Sequence, residues 1–264
     1  MEPINEVRMG GNILLKNVTV KYPESEFNVF EDLNLTLPEG MVSLIGQNGT
    51  GKSTLLLLTA GILKPDNGDI FIDGKNSKEF TDETQRHKYV SFIYQNLEFE
   101  SKEKIRDLLE FVYKNGFHTE KKDNFISQLS NILELNDIKN KKTHEISKGE
   151  LQRTILAFSL LYGSKYIMMD EPIFAMEDYQ KQKVMDFLYN YSKENALSIY
   201  YSIHELEISK KFSDYVLLFY KKSLPQLGKT KHMLIDEKLE KAYEFPVSML
   251  KQKEFLFRES ICKK

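Results

Sequence analysis

Gly46-Gln47-Asn48-Gly49-Thr50-Gly51-Lys52-Ser53-Thr54 follows directly on the apolar run Met41-Val42-Ser43-Leu44-Ile45. The segment fits G-x-x-x-x-G-K-[ST], and the apolar run before it reads as a short buried strand. A helix is expected from Ser53 to about Gly61, where the glycine and then Pro65 stop it. The glycines let successive backbone N–H groups turn inward around an anion. The helix start adds the positive end of its dipole, and Lys52 adds a full charge. Residues 46–54 therefore read as a cradle for phosphate oxygens. The Lys52 side chain can reach the outer phosphates, and the Ser53 hydroxyl can ligate Mg²⁺.

A second stretch, Tyr166-Ile167-Met168-Met169-Asp170-Glu171-Pro172, is a buried-strand pattern that ends in two carboxylates. In a parallel sheet the C-terminal strand ends line the ligand crevice. Asp170 there is a candidate Mg²⁺ ligand and Glu171 a candidate general base for an attacking water. On its own such a stretch reads more often as a strand ending in a solvated acidic turn. Downstream of a phosphate loop it reads as the metal and catalytic end of a nucleotide site.

Working outward, Ile13 to Val20 and Leu33 to Leu37 read as strands, and Ile70-Phe71-Ile72-Asp73-Gly74 as a strand and turn. From about Leu97 to Lys142 the chain is charged, free of proline and helical in spacing, with Ile105, Leu108, Leu109 and Val112, then Phe125, Leu129, Ile132 and Leu133. Strands and helices then alternate: a helix from Gly149, strand Tyr166 to Met169, a helix from about Glu177, strand Leu197 to Ser202, a helix from Glu205 and strand Tyr215 to Phe219. The expected fold class is α/β, a P-loop core with a mostly parallel sheet, an antiparallel β subdomain and an inserted helical subdomain. Residues 12–222 are expected to form the nucleotide-hydrolysing domain, with the helical subdomain at about 97–160. Residues 223–264 are expected as a less regular annex.

The phosphate loop and acidic pair indicate only a P-loop nucleotidase. Between them lies His144-Glu145-Ile146-Ser147-Lys148-Gly149-Glu150-Leu151-Gln152-Arg153. This resembles the L-S-G-G-Q signature of ABC (ATP-binding cassette) proteins. Tyr22, in Val20-Lys21-Tyr22-Pro23, sits where that family places an aromatic against adenine. Gln95, ending Phe92-Ile93-Tyr94-Gln95, resembles the Q-loop glutamine, Met176-Glu177 the D-loop, and Ser202-Ile203-His204 the switch histidine. Each piece alone is weak, and the ordered set carries the resemblance from about Leu14 to Asp214.

The resemblance implies two cassettes packed head to tail with two ATP molecules between them. Ser147 and the Gly149 N–H of one cassette would meet the γ-phosphate held by the other. His204 would contact that phosphate near the attacking water, and Gln95 would join the metal to the coupling helix of a transmembrane partner. Three positions depart from the pattern: Lys148 replaces a glycine, Glu150 a glutamine and Glu177 an aspartate. The segment from His204-Glu205-Leu206 to Asp214 resembles one common in importer cassettes, and the tail from Met233 to Val247 resembles that of cassettes serving iron–siderophore, haem and cobalamin uptake. The expected partners are a second copy of the chain, permease subunits and an extracytoplasmic substrate-binding protein. An exporter cassette and a soluble, non-transport ABC ATPase remain alternatives.

Composition fits this reading. The 264 residues are 41% hydrophobic and 29% charged, with a net charge of -2. Lysines are scattered among carboxylates, so no basic stripe marks a nucleic-acid face. Cys262 is the single cysteine, which excludes a disulfide framework and suits a reducing compartment. The first residues lack a basic, apolar leader, and no run nears the roughly 20 apolar residues a bilayer span needs. A cytoplasmic position, peripheral on the inner membrane face, is expected.

Overall fold

The chain's structure, a computed structural model, describes residues 13–95, 98–118, 124–246 and 248–249. Among these, the strands form two sheets. The smaller is antiparallel, in the order β2-β1-β4-β5, from β1 (Ile13–Val20), β2 (Phe30–Leu37), β4 (Asn67–Ile72) and β5 (Lys75–Asn76). The larger runs β10-β9-β3-β8-β7-β6, from β3 (Met41–Ile45), β6 (Val90–Ile93), β7 (Tyr166–Met169), β8 (Ser198–Ser202), β9 (Tyr215–Tyr220) and β10 (Ser223–Lys229). All its pairings are parallel except the β9–β10 hairpin.

Strands β3, β7 and β8 are buried at every residue, as expected for parallel strands covered on both faces. Their side chains alternate between two cores, following the pleat. Met41, Ile45, Ile167, Met169, Ile199 and Tyr201 face the core beneath the helices. Val42, Leu44, Tyr166, Met168 and Tyr200 face the core shared with the antiparallel sheet and α1 (Lys52–Thr59). After α2 (Glu83–Tyr89), the helical subdomain consists of α3 (Ile105–Asn115), α4 (Phe125–Ile132) and the long α5 (Lys148–Tyr162), with α3 and α4 packed on α5. The helices α6 (Asp178–Glu194) and α7 (Leu206–Phe212) return the chain to β8 and β9.

Two features differ from expectation. β2 starts at Phe30 rather than Leu33, because Phe30 pairs with Val20 across a register shift that breaks the simple alternation. The described part of the annex is regular: β10 joins the main sheet as its outer strand, followed by α8 (Thr230–Met233) and α9 (Asp236–Tyr243). Pro225 and Gly228 hide β10 from a sequence reading, and the ladder absorbs the proline in a register shift between Ser223 and Gln226. Leu239, Ala242 and Tyr243 of α9 are buried in the helix-side core. Residue 12, Leu97, Val247 and Cys262 lie outside the described residues. Among those described, no helix is long and apolar enough to cross a membrane.

Leu156 of α5 is fully buried in the helix-side core. Replacing it by alanine removes transfer energy and leaves a cavity. Leu156→Ala should cost about 2–5 kcal/mol, read from the urea unfolding midpoint.

Candidate functional site

Strand β3 delivers the chain to Gly46, where φ is 151°. A Cβ there would lie 2.8 Å from the Phe219 Cβ and 2.9 Å from the Phe219 carbonyl oxygen on the adjacent β9, so only glycine fits the turn. The loop then closes on itself. The Lys52 ammonium donates to the Gly46 and Gln47 carbonyls, each at 2.8 Å, and the Thr50 hydroxyl donates to the Gln47 carbonyl at 2.8 Å. Burial pushes the Lys52 pKa down to about 8, against the opposing pull of Glu171 and then Asp170. The Tyr22 hydroxyl lies 3.2 Å from Thr54 Oγ1 while the residue as a whole is 41% exposed. Tyr22 is therefore fixed beside the start of α1 with a face open to a ligand. Ser53 is exposed at the same helix start.

At the end of β7, Asp170 and Glu171 reach the same edge of the sheet. Asp170 N–H donates to the Ile93 carbonyl at 2.9 Å, and its carboxylate accepts the Ser202 hydroxyl at 2.5 Å. Glu171 has φ 48°, a left-handed conformation that costs a non-glycine residue roughly 1–2 kcal/mol. Each of its polar groups is engaged. Its N–H donates to Ser202 Oγ at 2.9 Å, and its carbonyl accepts the Gln152 amide at 3.1 Å. Its carboxylate accepts the Gln95 amide at 2.8 Å on one oxygen and meets His204 Nε2 at 2.9 Å on the other. The hydrogen bond to His204 is the main cause holding its pKa below the usual carboxylate range, against partial burial, with Lys52 also helping. Glu171 is thus a fixed anion at neutral pH.

The signature segment forms the start of α5. Ser147 caps it: Glu150 N–H donates to Ser147 Oγ at 3.3 Å, and Ser147 N–H donates to the Glu150 carboxylate at 2.7 Å. Glu150 thus completes the capping box, and these bonds to Ser147 depress its pKa. The Ser147 hydroxyl accepts here, which leaves its proton for an outside acceptor. Gly149 is fixed by packing, since a Cβ would lie 2.9 Å from the Ala175 carbonyl oxygen. Lys148 is exposed, which is why that position tolerates a long side chain.

The structure brings Lys52, Asp170, Glu171, Gln95 and His204 into one connected cluster. The bonds of Ser147 close on its own helical turn and do not extend to residues 46–54. Two residues escaped the sequence reading. Ser202 joins the Asp170 carboxylate to the Glu171 N–H, and Gln152 ties α5 to both Glu171 and Ala175 N–H, the latter at 3.1 Å. The only available signal was position: Ser202 stands two residues before His204, and Gln152 is the penultimate residue of the signature segment.

Two predictions follow from this packing. Gly149→Ala should destabilise by roughly 1–3 kcal/mol through its clash with Ala175, while Lys148→Ala stays within about 0.5 kcal/mol in the same melts. Burial holds the Lys52 pKa at about 8 in the fold, against 10.5 for an ordinary lysine. Between these values the unfolded chain holds the extra proton, so stability rises with pH. Wild type should gain stability relative to Lys52→Met from pH 8 to 10.5, and urea titrations of both across that range check it.

The family described as "ABC transporter" matches residues 30–174, more than half of the chain. The petrobactin import ATP-binding protein YclP of Bacillus subtilis is 28% identical over 237 residues, covering 88% of this chain and 93% of that protein. The Fe(3+) ions import ATP-binding protein FbpC of Escherichia coli O157:H7 is 27% identical over 216 residues, covering 81% and 61%. Among solved structures, the post-hydrolysis dimer of the ATP-binding cassette MJ0796, bound to ADP and Pi, superposes with a TM-score of 0.72. It is 22% identical, covering 83% of this chain and 98% of that one. The family match over more than half of the chain spans the phosphate-loop segment, the signature segment and the acidic pair, and the chain belongs to the ABC transporter family as an ATP-binding, ATP-hydrolysing cassette.

Proposed function

We propose that residues 46–54 hold the phosphates of ATP, that Tyr22 packs on its adenine, and that Glu171 takes the proton from the attacking water. The observation that carries this reading is the Glu171 carboxylate, held between the Gln95 amide and His204 Nε2. A carboxylate anchored on both oxygens keeps its lone pairs aimed and needs no reorganisation as charge develops. Lys52 provides the cation for the outer phosphates once it leaves the loop carbonyls. Ser53, the Gln95 side-chain oxygen and Asp170 form a hard oxygen donor set, which suits Mg²⁺. Bound there, Mg²⁺ would neutralise phosphate charge. His204 contacts the γ-phosphate while steadying Glu171.

Two copies would close on two ATP molecules, with Ser147 and the Gly149 N–H of each copy completing the other's site. The capping geometry supports this, because the Ser147 proton and the first N–H groups of α5 point to an acceptor outside their own turn. The cassette would power import through permease subunits on the inner membrane face, supplied by an extracytoplasmic binding protein. Kinship with petrobactin and Fe(3+) importers favours a metal chelate as cargo.

The test separates binding from chemistry. Lys52→Ala should abolish tight MgATP binding. Glu171→Gln should keep ATP affinity, lose roughly 10²-fold or more in turnover, and run as an ATP-trapped dimer on sizing. Near wild-type turnover in Glu171→Gln, with turnover lost in Asp170→Asn, would move the base elsewhere.

A further inference from the structure

The Gln47 side chain turns away from the cradle and into the annex. Its amide nitrogen donates to the carbonyls of Ala242 at 3.2 Å and Tyr243 at 2.7 Å, the last residues of α9. Those carbonyls belong to a helix end, where no further turn of α9 satisfies them. The Glu244 carboxylate lies beside the same amide and pairs with Lys221 on the turn after β9. Gln47 is thereby joined to a segment 195 residues away in sequence.

The backbone of Gln47 is also the hub of the phosphate loop. Its carbonyl accepts both the Lys52 ammonium and the Thr50 hydroxyl. Side chain and main chain of one residue thus hold opposite ends of one link. The far end is firm, because Leu239, Ala242 and Tyr243 are buried in the helix-side core. An anion nest binds well only if its N–H groups are already aligned, since each residue ordered on binding subtracts from affinity.

We infer that the annex braces the phosphate loop: the C-terminal end of α9 holds the Gln47 amide, and through it aligns the loop for the nucleotide's phosphates. Gln47 is in this view a positioning residue whose side chain touches no phosphate. This rests on the assignment of residues 46–54 to the phosphates, and Lys52→Ala is the control for that assignment.

The experiment uses the full chain and a fluorescent ATP analogue. It compares wild type, Gln47→Ala, Leu239→Ala, which loosens α9 away from the loop, and the double variant. Fixing one residue's backbone is worth about tenfold in an equilibrium, so each single variant should bind the analogue roughly three- to tenfold more weakly. Both should also show faster hydrogen exchange at the amides of residues 46–51 without nucleotide. The double variant should bind no worse than the weaker single one, because both changes cut the same link. Turnover at saturating ATP should change less than affinity. Gln47→Ala binding within twofold of wild type, or single effects that multiply in the double variant, would overturn the brace. If Leu239→Ala fails to fold, affinity and exchange in Gln47→Ala decide by themselves. Lys52→Ala binding like wild type would instead remove the phosphate-loop assignment beneath the proposal.

Discussion

At Glu171 the chain adopts a backbone conformation that crowds an L side chain, and it does so at the edge of the sheet where ligand chemistry belongs. The turn persists because four separate elements hold it. β8 contributes Ser202, α5 contributes Gln152, the segment after β6 contributes Gln95, and the turn after β8 contributes His204. A strained residue fixed from four directions reports on all of them. Gln95, on the segment after β6, and Gln152, on α5 of the helical subdomain, both end on this glutamate.

The departures from the usual family pattern fall where the structure can absorb them. Position 148 faces solvent, so lysine replaces glycine without a steric conflict. Position 150 supplies a side-chain acceptor for the Ser147 N–H, and a carboxylate meets that need as well as an amide while favouring the positive end of α5. Position 149 has no such latitude, because the Ala175 carbonyl fills the space a methyl would need. What matters at each place is the contact, not the letter.

Much of the fold was legible for local reasons. Backbone cradling of phosphate requires glycines at fixed spacing, and buried parallel strands require short apolar runs, so β3 and β7 were placed residue for residue. The candidate residues Lys52, Asp170, Glu171, Gln95 and His204 were legible for the same reason, each standing in a short motif. The rest depends on distant pairs. Nothing around Gln47 announces α9, and nothing around Ser202 announces the Asp170 carboxylate, since those partners meet only after the sheet is assembled. The positive φ of Glu171 is likewise a product of tertiary bonds, and no propensity of glutamate predicts it. The annex looked irregular because Pro225 and Gly228 are poor strand formers, yet an outer strand needs only one hydrogen-bonded side.

That outer strand has a further effect on how the molecule behaves in bulk. An open sheet edge is a template onto which a strand from another molecule can add, and repetition of that step yields fibrous aggregates. β10 interrupts the template: Pro225 offers no N–H, and the register shift between Ser223 and Gln226 bends the ladder beside it. At the opposite edge, β6 is four residues long, too short to seed extended pairing. Both ends of the main sheet should therefore resist strand addition even though Leu224 leaves apolar surface exposed on β10.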